Sequence, residues 1–144
     1  MTTTNKYHAH RSFYDDQWWD SDLELDFYKR LQQSFTYQPN NETKVIVKPR
    51  ILVKPEAEVF PKRYWKCDFR LSHQQQHINI EVKGFLTRDF MMMFELFEYA
   101  NPLEFSKTYI ASENDDVRRK YAKLGKRFIW LPDATTNFTK PTNW

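Results

Sequence analysis

Glycine is nearly absent from this chain, with 2 in 144 residues. That scarcity argues against a glycine-rich phosphate loop or a dinucleotide fingerprint, because both need several glycines close together. A single cysteine excludes an internal disulfide and any cysteine-based zinc site. The apolar runs are far too short to span a bilayer, and no signal-peptide pattern opens the chain. The expectation is a soluble, cytoplasmic protein with no membrane association. Repeats and low-complexity segments are also missing.

Aromatic residues and charge are what the chain has. Phe, Tyr and Trp make up 17% of it, so large flat side chains are expected to build much of the core. The net charge is only +3, but it is unevenly placed. Between Lys44 and Lys83 nine basic residues meet four acidic ones, and Arg118 to Arg127 holds six basic residues and no acid. Such blocks suit either a polyanionic partner or an ordinary solvated surface. The length fits one domain, residues 1–144, with a loose basic-aromatic arm over 1–16 and a loose tail over 132–144.

The first helix signal is Ser21-Asp22-Leu23-Glu24, a capping box that leads into Leu23, Phe27, Tyr28 and Leu31 at helical spacing. Residues 37–41 read as a turn. Val45–Val47 and Ile51–Val53 read as a strand broken or bulged at Pro49, and Pro55 and Pro61 bracket an irregular connection. Tyr64 to Leu71 reads as one strand, and His77 to Lys83 as its antiparallel partner across a polar turn. Thr87 or Asp89 caps a second helix through Tyr99, in which Met91, Met92 and Met93 read as core filler. Lys107–Ala111 is a short strand. A third helix begins at Asn114–Asp116, runs through Tyr121 and Leu124 and closes on Gly125, and Phe128–Leu131 is a last buried strand. Strand alternating with helix after the central hairpin implies parallel crossovers, hence an α/β fold with helices on both faces of the sheet.

The chemistry-bearing residues sit on the hairpin. Side chains at i and i+2 of a strand share a face about 6.5–7 Å apart, so Glu81 and Lys83 stand together while Ile80 and Val82 face a core. If the strands pair, Asp68 joins them. Two carboxylates and an amine suit a divalent cation and a phosphate. The ordinary role of such a pattern is a cross-strand ion pair, and that of Glu24 is the capping box. His8, His10, His73 and His77 lack ligand spacing and read as solvent or backbone-contact residues. Tyr64 and Trp65 read as core, with base stacking as their other role.

Asp68, then Glu81-Val82-Lys83-Gly84, with Glu24 on a preceding helix, resembles the PD-(D/E)xK nuclease superfamily. So does the order of helix, three strands, helix and strand. The segments Lys6-Tyr7-His8-Ala9, Trp19 to Glu24 and Val82 to Thr87 look like those of small phage-encoded members, and a more distant likeness is to phage junction-resolving endonucleases. One departure is that Cys67, not proline, precedes Asp68. The resemblance implies a restriction-endonuclease-like core with a mixed central sheet flanked by helices. It also implies a Mg²⁺-dependent DNA endonuclease in which Mn²⁺ can substitute, acting as a homodimer, with branched DNA a candidate substrate. Glu24, Asp68, Glu81 and Lys83 would be catalytic, and Asp68, Glu81, the Val82 carbonyl and Glu24 would hold metal. Thr87, Arg88, Lys66, Arg63 and Arg11 would contact nucleic acid, with capping and surface charge as the ordinary roles of Thr87 and Arg88. The competing reading is a catalytically silent nucleic-acid-binding or assembly module on the same fold.

Overall fold

The computed structural model describes residues 2–4, 10–36, 43–57 and 59–133. The chain divides into two compact units, one of Met1–Asn41 with Asp133–Trp144 and one of Glu42–Pro132. The class is the α/β one expected, with a five-stranded mixed sheet in the larger unit. Among the described residues, no helix is long and apolar enough to cross a membrane. The turn read over 37–41, and the tail beyond Asp133, lie outside the described residues.

In the smaller unit, β1 (Thr2–Thr4), β2 (His10–Tyr14) and β3 (Gln17–Trp19) form an antiparallel meander, followed by α1 (Asp22–Thr36). Part of the segment expected to be an irregular arm is therefore strand. Its periodicity is hard to read because β2 is short and mixes charge with aromatics. The β2–β3 turn carries Asp15 and Asp16, both at positive φ, which is the backbone a two-residue hairpin turn needs. Glycine would fit there most easily, but aspartate tolerates the left-handed region. Asp15 also accepts a hydrogen bond from the Tyr28 hydroxyl of α1. The Ser21 hydroxyl accepts from the Glu24 N–H, which is the forward half of the expected capping box. Buried Trp19 packs its ring 4.6 Å from Tyr28 and donates its indole N–H to the Tyr14 carbonyl.

The larger unit is built on a bent antiparallel ribbon. β4 (Thr43–Val47) pairs with β7 (Phe69–His73), and β5 (Arg50–Lys54) pairs with β6 (Arg63–Lys66). The expected break at Pro49 is present. The expected single strand from Tyr64 to Leu71 is not, because the chain leaves one sheet at Cys67–Asp68 and enters another. Even so, the two ladders share one register. The Lys48 N–H donates to the Asp68 carbonyl at 2.8 Å and the Cys67 N–H to the Pro49 carbonyl at 3.0 Å, so pairing continues through the bend. Lys48 makes the bend possible at φ 56, a conformation that costs a non-glycine residue about 1–2 kcal/mol. Beyond the ribbon, β7 turns at Gln74–Gln75 into β8 (Gln76–Val82), a shorter turn than the pattern suggested.

β9 (Thr108–Ser112) and β10 (Phe128–Trp130) join β8 in parallel, as the alternation of elements implied, in the order β10-β9-β8-β7-β4. α2 (Arg88–Ala100) starts at Thr87, whose hydroxyl accepts the Phe90 N–H. Phe90, Phe94 and Phe97 recur one turn apart and are buried with Phe105 of α3 (Pro102–Phe105) and Tyr121, against a partly buried Trp65. The core is aromatic as expected. Met93 packs against it, but Met92 is exposed, so the methionine run is not core throughout. α4 (Asp115–Lys120) is capped by the Asn114 side chain and stops earlier than expected, followed by a 3-10 turn over Ala122–Arg127 that contains Gly125 at φ 61.

A partly buried polar network ties β7, β8 and β9 to α3. Glu104 accepts from Arg70, Asn79 and His77, and Asn79 also bonds Thr108. His77 is thus a structural partner of Glu104, not the solvent-facing residue expected. Burial raises the Glu104 carboxyl, but the Asn79 and His77 hydrogen bonds and the charges of His77 and Arg70 outweigh it, and its pKa falls below the ordinary 4.5.

A depressed carboxylate adds stability above its unfolded pKa and loses that contribution as pH falls through the folded one. Glu104→Gln should therefore cost about 2 kcal/mol at neutral pH, with the gap to wild type closing as urea denaturation is followed below pH 4.5. Among the described residues the buried Tyr121 hydroxyl has no hydrogen-bond partner, while its ring packs edge-on against Phe90 and Phe94. Tyr121→Phe keeps the ring and removes the orphan group. It should raise stability by about 1 kcal/mol in the same assay.

Candidate active site

The bend in the ribbon places Asp68 between two charged neighbours. Lys48 lies across from it in the β4–β7 register. On the other side, continuing the β7–β8 register sets it opposite Glu81. One Asp68 carboxylate oxygen receives the Lys48 ammonium at 2.9 Å, and the other accepts the Val82 N–H at 2.8 Å. Glu81 reaches back with one oxygen to the Asp68 N–H at 3.2 Å, and its other oxygen lies 3.4 Å from the Lys83 ammonium. The Lys83 ammonium also sits 4.2 Å from the centre of the Phe90 ring, while its backbone N–H bonds the Ala111 carbonyl. Ile80 and Val82 are buried, as their alternation with Glu81 and Lys83 required.

Both carboxylate side chains are almost completely buried, at 8% and 6% exposure, and the two ammonium groups lie nearer the surface at 23% and 21%. Burying two like charges this close is costly unless each is paired and hydrogen-bonded, and here each is. The row of Lys48, Asp68, Glu81 and Lys83 sums to zero formal charge. Because the Val82 N–H points at Asp68, its carbonyl, which in a strand lies on the same edge as its own N–H, faces the same gap.

Cys67 stands where the resemblance expects proline, and the difference has a structural use. Its N–H makes the bond to Pro49 that carries the ribbon through the bend, which proline could not donate. Its fully buried thiol donates to the Ile80 carbonyl at 3.3 Å. Burial, followed by the charges of Glu81 and Asp68, holds the thiol well above its ordinary pKa.

The structure thus brings Asp68, Glu81 and Lys83 together as expected. It adds Lys48, which sequence reasoning counted only as a basic residue. The signal was available in Lys48-Pro49, a break in one strand that falls opposite the aspartate of its partner, but using it requires the register. Glu24 and Arg11 belong to the smaller unit, where Arg11 lies 3.5 Å from Asp20 and over the Trp18 ring. Thr87 caps α2 and Arg88 is its exposed first residue. Arg63 and Lys66 are exposed on β6.

Among the described residues, no three His, Cys, Asp or Glu side chains are grouped to hold a metal. The donors present are two carboxylates with a backbone carbonyl at the same gap. That set fits a hard, oxygen-preferring ion which takes only one or two protein carboxylates and keeps its waters. It does not fit a thiol- or imidazole-preferring ion.

The fold and site define an α/β protein with a buried, charge-balanced carboxylate pair at a strand bend. The chain belongs to the family described as Protein of unknown function (DUF1064), whose profile matches residues 4–121 and so takes in Glu24, Asp68, Glu81 and Lys83. A search of curated proteins gives no match.

A buried thiol held protonated is unreactive, because the thiolate is the nucleophile. Cys67 should resist alkylation by iodoacetamide at pH 8 in the folded protein and be modified fully in denaturant, read by mass spectrometry. Rapid labelling under native conditions would contradict the packing described.

Proposed function

We propose that this chain is a Mg²⁺-dependent endonuclease that hydrolyses phosphodiester bonds in DNA. The observation that carries the reading is the joint placement of two buried carboxylates and a lysine on adjacent strands, with Lys83 at 3.4 Å from Glu81. The resemblance to the PD-(D/E)xK superfamily supports it. Asp68, Glu81 and the Val82 carbonyl would hold the ion, which when bound polarises the scissile phosphate and acidifies a water. By the resemblance, Glu24 would be the third acidic group.

The chain's own groups have separable tasks. Lys83 orients or deprotonates the attacking water and offsets charge that develops on the phosphate. Phe90 confines the Lys83 ammonium from one side, which limits the directions it can take. Lys48 balances the charge of Asp68 and holds its carboxylate in place at the bend. The reading extends to a homodimer, since one such site cuts one strand, and to branched DNA in recombination or repair within the cytoplasm.

A second reading, a silent binding or assembly module on the same fold, is favoured by one feature. All four carboxylate oxygens of the pair already have protein partners.

Cutting assays on linear duplex, single strand, flap and four-way junction, with Mg²⁺ or with chelator, separate the two. The nuclease reading expects metal-dependent cutting that is lost in Asp68→Asn and Glu81→Gln. It expects Lys83→Ala to slow turnover by about 10²–10⁴-fold, with little change in DNA affinity. Lys83→Ala that cuts like wild type would remove the mechanism. No cutting on any substrate would leave the silent module.

A further inference from the structure

A groove of about 610 Å³ runs along the β5–β6 ribbon and is lined by Lys48, Arg50, Lys62, Arg63 and Lys66, with no acidic residue in its walls among the described residues. We propose that this groove is a track for the phosphodiester backbone of nucleic acid, feeding a strand toward Asp68 and Glu81. The proposal deepens the nuclease reading and rests on it for the destination of the strand.

Three observations support the track. Four of its five cations lack acidic partners: among the described residues, Arg50, Lys62, Arg63 and Lys66 form no ion pair, and Arg50 lies instead over the Tyr64 ring at 3.9 Å. Four of the six residues in the other basic block are already engaged. There Arg119 pairs with Asp116, Lys123 with Glu98, Arg118 covers Trp130, and Arg127 bonds the carbonyls of Phe105 and Thr108. The groove is also continuous with the site, since Lys48 both lines it and holds Asp68.

The groove's side chains favour a phosphate backbone over bases. One face of Tyr64, the groove's exposed aromatic, is already covered by Arg50, and Trp65 packs into the core. Binding is therefore expected to be sequence-tolerant and strongly salt-dependent.

The test uses the full chain in chelator with a fluorescent 20-base-pair duplex of arbitrary sequence, titrated by anisotropy across salt. Lys62, Arg63 and Lys66 are exposed, so Lys62→Ser/Arg63→Ser/Lys66→Ser should fold, which a thermal melt checks. It should bind at least about tenfold more weakly and lower the salt slope by about 2–3. The charge-matched Lys120→Ser/Lys123→Ser/Lys126→Ser should bind nearly as wild type. Should the triple variant melt early, Lys62→Ser alone still reports, with a slope lower by about 1.

Equal losses in both triple variants would mean that bulk charge alone attracts DNA, and the track would be overturned. Unchanged binding in the groove variant, or no binding by wild type, would overturn it too. Cutting assays keep the two ideas apart. Groove-dependent binding without cutting leaves the track and removes the nuclease, whereas cutting with groove-independent binding does the reverse.

Discussion

Every polar group of Asp68 is committed. Its N–H goes to Glu81, its carbonyl to the Lys48 N–H, and its two carboxylate oxygens to the Lys48 ammonium and the Val82 N–H. The residue therefore does two jobs. It continues the ribbon's ladder through a bend, and it anchors a carboxylate pair in a place where an unpaired charge would be severely destabilising. The left-handed Lys48 backbone, the N–H of Cys67 and the lysine on either side follow from that single placement. None can be changed without disturbing what Asp68 holds.

The parts of this arrangement that depend on short-range periodicity were readable. Alternation on β8 separates Ile80 and Val82 from Glu81 and Lys83, and the i+2 spacing alone brings the latter two together. Helix starts at Ser21, Thr87 and Asn114 were marked by their capping chemistry. The parallel addition of β9 and β10 followed from the order of elements. What escaped was set by long-range register. Lys48 meets Asp68 across 20 residues and Glu104 meets His77 across 27, and no local pattern announces either pair. The split of the strand at Cys67 was hidden for a related reason. The alternation continues across the split, because the ladder does.

Scarcity of glycine shapes the turns as well. Asp15, Asp16, Lys48 and Gln74 take positive φ, and of these Asp15 and Lys48 also carry contacts that hold neighbouring elements. Glycine would relax the backbone at either position but would remove the side chain that the local structure uses. The conformational cost and the contact come from the same residue.

The shared register of the ribbon also says where this family can tolerate insertions and deletions. Residues 55–57 and 59–62 lie at the tip, and length can change there without moving anything near Asp68. One residue added or lost between Pro49 and Lys54, or between Arg63 and Cys67, would shift the pairing by a step and turn Lys48 away from its aspartate, unless the opposite strand changed to match. The ribbon already absorbs one such irregularity, between Leu52 and Lys54, on the side of the bend nearer the tip. Homologous chains of different length should therefore vary at the tip and keep constant the count of residues from each side of the ribbon to the bend.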